Sequence, residues 1–154
     1  MRNAAALFVP VLLLAACATP QDLPAVRYLD AEYRGATAPR LSEGEFHRQA
    51  ELWRDAVVDS GACRLPRDQV VSAAFAARSE LTAMREHAEG NTSGVIGGVL
   101  TDLVMSATIG GGRASPDRGR CNRLARWLPT VQARRDQAGD WSVLENLLKG
   151  GGRP

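Results

Sequence analysis

SEGEFHRQAELWRDAVVDS, residues 42–60, decides the fold. Ser42-Glu43-Gly44-Glu45 matches a capping box, in which a serine hydroxyl and a glutamate carboxylate satisfy amides left free at a helix start. Phe46, Ala50, Trp53 and Val57 then recur at three- and four-residue intervals and form one apolar stripe. Arg48, Glu51 and Arg54 fall outside it, and Gly61 is expected to end the helix. Such a stripe needs a partner, so the remaining chain is searched for matching helices.

The next segment supplies one. From about Arg67 to Glu89, Val70, Ala74, Ala77, Leu81, Met84 and Ala88 alternate by four and three residues, and Gly90-Asn91 follows as a terminator. The alanines leave room for another helix to approach closely. Residues 92–112 carry a single charge, Asp102, and Ser93 suits the cap of a helix holding Val95, Ile96, Val99, Leu100, Leu103, Val104 and Ala107. Each glycine inside a helix costs about 1 kcal/mol relative to alanine, so Gly94, Gly97 and Gly98 imply close helix contact or irregular backbone. As a core helix, Val95 to Ala107 should be almost wholly buried, with Asp102 paired to an arginine of 113–135. As a membrane-active element, Gly94 and Gly98 would form a small-xxx-small contact.

After Gly110-Gly111-Gly112, Ser115-Pro116-Asp117 starts another helix with Cys121, Leu124, Ala125, Leu128 and Val131 expected inward. Pro129 should kink or split it near Trp127, and Gly139 should close it. Ser142-Val143-Leu144-Glu145 opens a short last helix through Lys149. No alternating strand pattern and no internal repeat is visible. The expected fold is all-α, a bundle of four to five helices over residues 42–149, with a frayed tail at 150–154.

The N-terminus reads differently. Arg2 is followed by an uncharged run from Ala4 that closes on Leu14-Ala15-Ala16-Cys17. This resembles the lipobox of bacterial lipoproteins. The resemblance implies a signal peptide over residues 1–16, a diacylglycerol thioether on Cys17 and palmitate-class acylation of the new amine. Ala18 stands where an aspartate favours inner-membrane retention, which implies the outer membrane, facing the periplasm. Ala16-Cys17-Ala18 also fits an ordinary secretory cleavage site. A membrane span is less suited, because the run is short of about 20 residues and Pro10 interrupts it. Residues 17–41, with Pro20, Pro24, Gly35 and Pro39, read as the lipidated cysteine and a tether. A short helix beginning at Pro24, with Val26, Leu29 and Tyr33 on one face, fits inside that tether and suits docking on the body. Assigning Cys17 to lipid leaves Cys63 and Cys121, which an oxidising compartment would pair; two buried thiols are the alternative.

The residues offer little recognisable chemistry. The two histidines, His47 and His87, sit in no zinc-hydrolase pattern, and neither a Cys-x-x-Cys pair nor a Gly-x-Ser-x-Gly elbow occurs. Glu86, His87 and Glu89 read as solvated surface, and neither a metal nor a cofactor is expected. Glu80 is the nearest candidate for a peptidoglycan-cleaving acid, and it too reads as solvated.

The basic run is more informative. Arg113, Arg118, Arg120, Arg123, Arg126, Arg134 and Arg135 share their span with only Asp117. Arg120, Arg123 and Trp127 lie on one helical side, where Arg123 can stack on the indole. Arg118, Arg120, Arg123, Arg126 and Trp127 are therefore the candidate surface for an anionic envelope component or an envelope protein; an exported chain excludes nucleic acid. Internal pairing with Glu43, Glu45, Glu51, Asp55 and Asp59 of the first helix is the competing use. The expected function is a membrane-anchored, non-enzymatic lipoprotein that binds a protein or supports the envelope. Small helical lipoproteins that pilot secretin subunits offer a fold-level analogy. The alternatives are a peptidoglycan-acting enzyme and a membrane-active oligomer built on 94–107.

Overall fold

The computed structural model describes residues 22–27, 39–90, 92, 97–99, 101–103, 105, 114–139 and 147–149. Cys17, Gly94, the segment 28–38 and the capping box at 142–145 lie outside the described residues. Within them the fold is all-α, with no strand. Three long helices, α1 (Glu43–Ala62), α2 (Arg67–Glu86) and α3 (Arg118–Ala138), are joined by a shorter helical stretch through 97–105.

Ser42 caps α1, its hydroxyl accepting from the Glu45 amide at 3.2 Å. The Glu45 carboxylate turns outward to Arg48 and Gln49, whose hydrogen bonds hold it below the usual carboxylate range against the opposing effect of burial. Gly61 does not end the helix. It continues one residue to Ala62, and the reversal falls at Arg64, whose φ of 56° is left-handed. Cys63, the C-cap of α1, lies at disulfide distance from Cys121 on the first turn of α3, with Cα atoms 5.6 Å apart. Ser115 reinforces the joint, its hydroxyl donating to the Ala62 carbonyl at 2.8 Å. One end of the bundle therefore gathers the end of α1 and the starts of α2 and α3.

The central helix is α2. Val70 through Ala77 are all buried, together with Glu80, Leu81 and Met84. Alanines at 73, 74, 76 and 77 let neighbours close on more than one side, so the run packs against α1, α3, Leu103 and Leu148. Phe46, Trp53, Val57, Leu81 and Met84 share this core. α2 stops at Glu86, short of the expected Glu89, because Ala88 pairs in parallel with Leu41 instead. Gly90, at φ +90°, then turns the chain where an added Cβ would lie 2.6 Å from Glu43 Oε2.

The Gly-rich stretch is not the central helix expected of it. Among its described residues, Gly97, Gly98, Thr101, Asp102 and Met105 are exposed, Val99 is half-buried, and Thr92 and Leu103 are buried, while Val95, Ile96, Leu100, Val104 and Ala107 lie outside the described residues. Asp102 pairs with Arg54 of α1 at 2.9 Å and not with an arginine of 113–135, since α1 is the helix it lies against. No helix among the described residues is long and apolar enough to cross a membrane.

α3 also departs from expectation in detail. Asp117, not Ser115, is its N-cap, accepting from the Arg120 amide at 3.0 Å. That bond outweighs burial and holds the Asp117 carboxyl below its ordinary range. Pro129 does not split the helix. Its ring faces solvent, and the Thr130 hydroxyl donates to the Trp127 carbonyl at 2.6 Å beside it. Leu124, Leu128 and Val131 point inward as expected, Cys121 is half-buried, and Ala125 is exposed. Gly139, in the left-handed region at φ 63°, ends the helix.

Candidate functional site

The basic side of α3 is occupied from within. Residues 22–27 are not helical, so Pro24 opens no helix. They run instead as a strap along α3. Arg123 grips the Asp22 carboxylate through Nε at 2.9 Å and Nη2 at 2.7 Å. Arg120 donates to the Asp22 carbonyl and lies 3.3 Å from its carboxylate. Its Nε also donates to Asp59 of α1 at 3.1 Å, in a pair that is largely shielded from solvent. Burial would raise the Asp22 pKa, but the Arg123 hydrogen bond and the charges of Arg123 and Arg120 prevail and lower it. Further along, Trp127 Nε1 donates to the Pro24 carbonyl at 3.1 Å, Pro24 itself is buried, and Val26 packs on the core.

Trp127 thus has two neighbours. Its indole edge holds the strap, and its ring lies 5.5 Å from that of Trp53, tilted by 53°. Arg123 is turned to Asp22 rather than stacked for its own sake on the indole. Of the candidate surface, Arg120, Arg123 and Trp127 are brought together by the strap. Arg118 and Arg126 remain exposed and have no ion pair among the described residues. Arg135 is no surface residue. It is 1% exposed, with Nη1 3.4 Å from the Ser72 carbonyl and its guanidinium 5.9 Å from the centre of the Phe75 ring.

Glu80 is likewise fully buried, contrary to its reading as solvated. It lines a cavity of about 50 Å³ with Arg27, Glu45, Gln49 and Met84. Ligand sites commonly measure roughly 300 Å³ or more, so this cavity does not admit a glycan. A larger recess of about 430 Å³ opens between α2 and α3, lined by Phe75, Arg78, Ser79, Thr82, Glu86 and Arg135. It does not include Glu80. Glu86 and Glu89 are exposed, Glu89 lies 3.7 Å from Arg40, and His47 lies 3.7 Å from Glu43. No three metal-ligating side chains converge among the described residues.

Docking of the segment from Pro24 on the body is expected and Val26 does pack there, but its non-helical form, the Asp22 clamp and the burial of Glu80 and Arg135 are not expected from the sequence. Asp22 was the available signal: an acid just ahead of Pro24, with the basic run its natural counter-charge. No protein-family model, curated protein or solved structure matches the chain.

Proposed function

We propose that this is an outer-membrane lipoprotein, anchored through acyl chains on Cys17, whose periplasmic helical body binds a protein or supports the envelope without catalysis. The observation that carries the reading is the pairing of Cys63 with Cys121. A bridge of this kind belongs to an oxidising compartment, and it leaves Cys17, at the end of Leu14-Ala15-Ala16, as the cysteine available for lipid. The small cavity beside Glu80 weighs for a binding role over glycan cleavage. The arginines of α3 serve first to fasten the segment that follows Cys17, which suits a body held close to its anchor.

Labelled fatty acid supplied to cells tests the anchor. The wild-type chain should carry label and Cys17→Ser should not; label on Cys17→Ser overturns the reading. Crosslinking in detergent-solubilised envelope should then capture a protein partner. Release of muropeptides by the purified chain, lost in Glu80→Gln, would replace the binding role with the enzymatic one.

A further inference from the structure

The strap limits how far Cys17 can lie from one end of the bundle. Asp22 is clamped by Arg120 and Arg123 near the start of α3, and the strap runs from there toward Trp127. The chain upstream of Asp22 therefore departs from the end where Cys63 and Cys121 join. Only residues 18–21 separate Cys17 from Asp22, and five residue steps reach at most about 18 Å. A 20-residue helix is about 30 Å long, so the opposite end of α1 lies well beyond that reach.

The near end has the chemistry of an anion-binding surface. Arg64, Arg67 and Arg118 are all exposed there and have no ion pair among the described residues. Two helices begin at this end. Pro66, the N-cap of α2, makes no side-chain hydrogen bond to the first turn. The acids nearby are Asp68 in the first turn of α2, Asp117, which caps α3, and Asp59 and Asp22, which are bound to Arg120 and Arg123. The far end is balanced: Glu43, Glu45, Glu86, Glu89 and Asp136 stand there with Arg27, Arg40, Arg48, Arg85 and Arg134.

We infer that the disulfide end of the bundle docks on the membrane that holds the anchor, with Arg64, Arg67 and Arg118 against anionic phospholipid headgroups. The inference rests on acylation at Cys17. The strap makes the contact intramolecular, so it forms at the high effective concentration that a short linker provides. Each arginine near an anionic surface contributes about a fivefold preference, which the exposed Asp68 and Asp117 at the same end reduce, so the docked state is favoured on the order of tenfold.

The test uses the full acylated chain in two kinds of vesicle, one of phosphatidylethanolamine with a quarter phosphatidylglycerol, the other of phosphatidylcholine alone. Hydrogen exchange followed by mass spectrometry reads the amides of 64–70 and 114–120. These should exchange roughly tenfold more slowly on the anionic vesicles, and 0.5 M salt should restore the rate. The combined variant Arg64→Gln, Arg67→Glu, Arg118→Glu should lose the protection, and Arg85→Glu at the far end should keep it. Salt reversal on the wild-type chain needs no variant to fold. Equal exchange on the two vesicles, with the acyl mass present on Cys17, overturns the docking alone. Absence of that mass overturns the lipoprotein reading and the docking with it.

Discussion

Trp53→Ala is the sharpest test of how this fold is held. Trp53 is fully buried on α1, within the same core as Phe46, Leu81 and Met84, and its ring lies 5.5 Å from that of Trp127. Truncating a buried tryptophan to alanine costs about 3–5 kcal/mol, and loss of an aromatic pair adds about 1 kcal/mol. One contribution runs the other way. Trp53 Nε1 is buried with no hydrogen-bond partner among the described residues, and leaving such a donor unsatisfied costs about 1–3 kcal/mol. The net expectation is a loss of about 2–4 kcal/mol, a large share of the roughly 5–15 kcal/mol that holds a small domain. Trp53→Phe keeps a ring against Trp127 and removes the orphaned N–H, so it should cost less than half as much as Trp53→Ala. Urea denaturation followed by circular dichroism measures both, with the slope checked for constancy. A Trp53→Ala midpoint within error of wild type would refute the core position. A Trp53→Phe loss equal to that of alanine would refute the argument about the unpaired donor.

The remaining predictions concern the staple, the strap and the Gly-rich stretch. Replacing Cys63 and Cys121 by serine frees a loop with a sequence separation of 58 residues, and the chain-entropy account gives a loss of about 4 kcal/mol; thermal unfolding with and without reductant should show the wild-type chain alone responding. The folded pKa of Asp22 lies below its ordinary 3.8, so its contribution to holding the strap is complete above that pH and disappears as pH falls through the lowered value. Proteolysis at residues 22–27 should therefore accelerate below pH 3.8, and Asp22→Asn should show the faster rate already at neutral pH. Gly98 is helical and exposed with no atom within 4 Å of an added Cβ, so Gly98→Ala should stabilise by up to about 1 kcal/mol; a destabilised variant in denaturant unfolding would mean the position is packed after all.

What the sequence disclosed is what has a period. The stripe Phe46, Ala50, Trp53, Val57 and the stripe from Val70 to Met84 announce two helices, and both bury those residues. That Cys63 and Cys121 lie at disulfide distance follows from the cysteine count once Cys17 is set aside. Contacts between elements leave no such period. The Leu41–Ala88 bridge is a single residue pair, Arg54 meets Asp102 from 48 residues away, and Asp22 meets Arg123 from 101. Charge runs misled for the same reason. Arg120, Arg123 and Arg135 look alike in the sequence, yet one pair clamps the strap and the third is sealed against Phe75.

The exchange of roles between α2 and the Gly-rich stretch has a physical cause that hydrophobicity alone conceals. The stretch 92–112 holds more large aliphatic residues than Val70–Ala77, and on burial of apolar area it is the better candidate for the centre. A central helix in a small bundle must also let neighbours approach from several sides. Alanine permits that at little cost to the helix, whereas each glycine that permits it weakens the helix by about 1 kcal/mol. α2 meets both demands with Ala73, Ala74, Ala76 and Ala77 around Val70, Val71 and Phe75. The Gly-rich stretch meets only one, and its glycines at 97 and 98 face open space instead of a neighbour. The outcome leaves Met105 exposed at 52% on a helix that contributes Leu103 to the core. The same stretch therefore presents a small-residue face outward while α2 does the work of the centre, so close helix contact at Gly97 and Gly98 would have to be made with a second molecule. A soluble, monomeric full-length chain at high concentration, unchanged by Gly98→Leu, would show that no such contact forms.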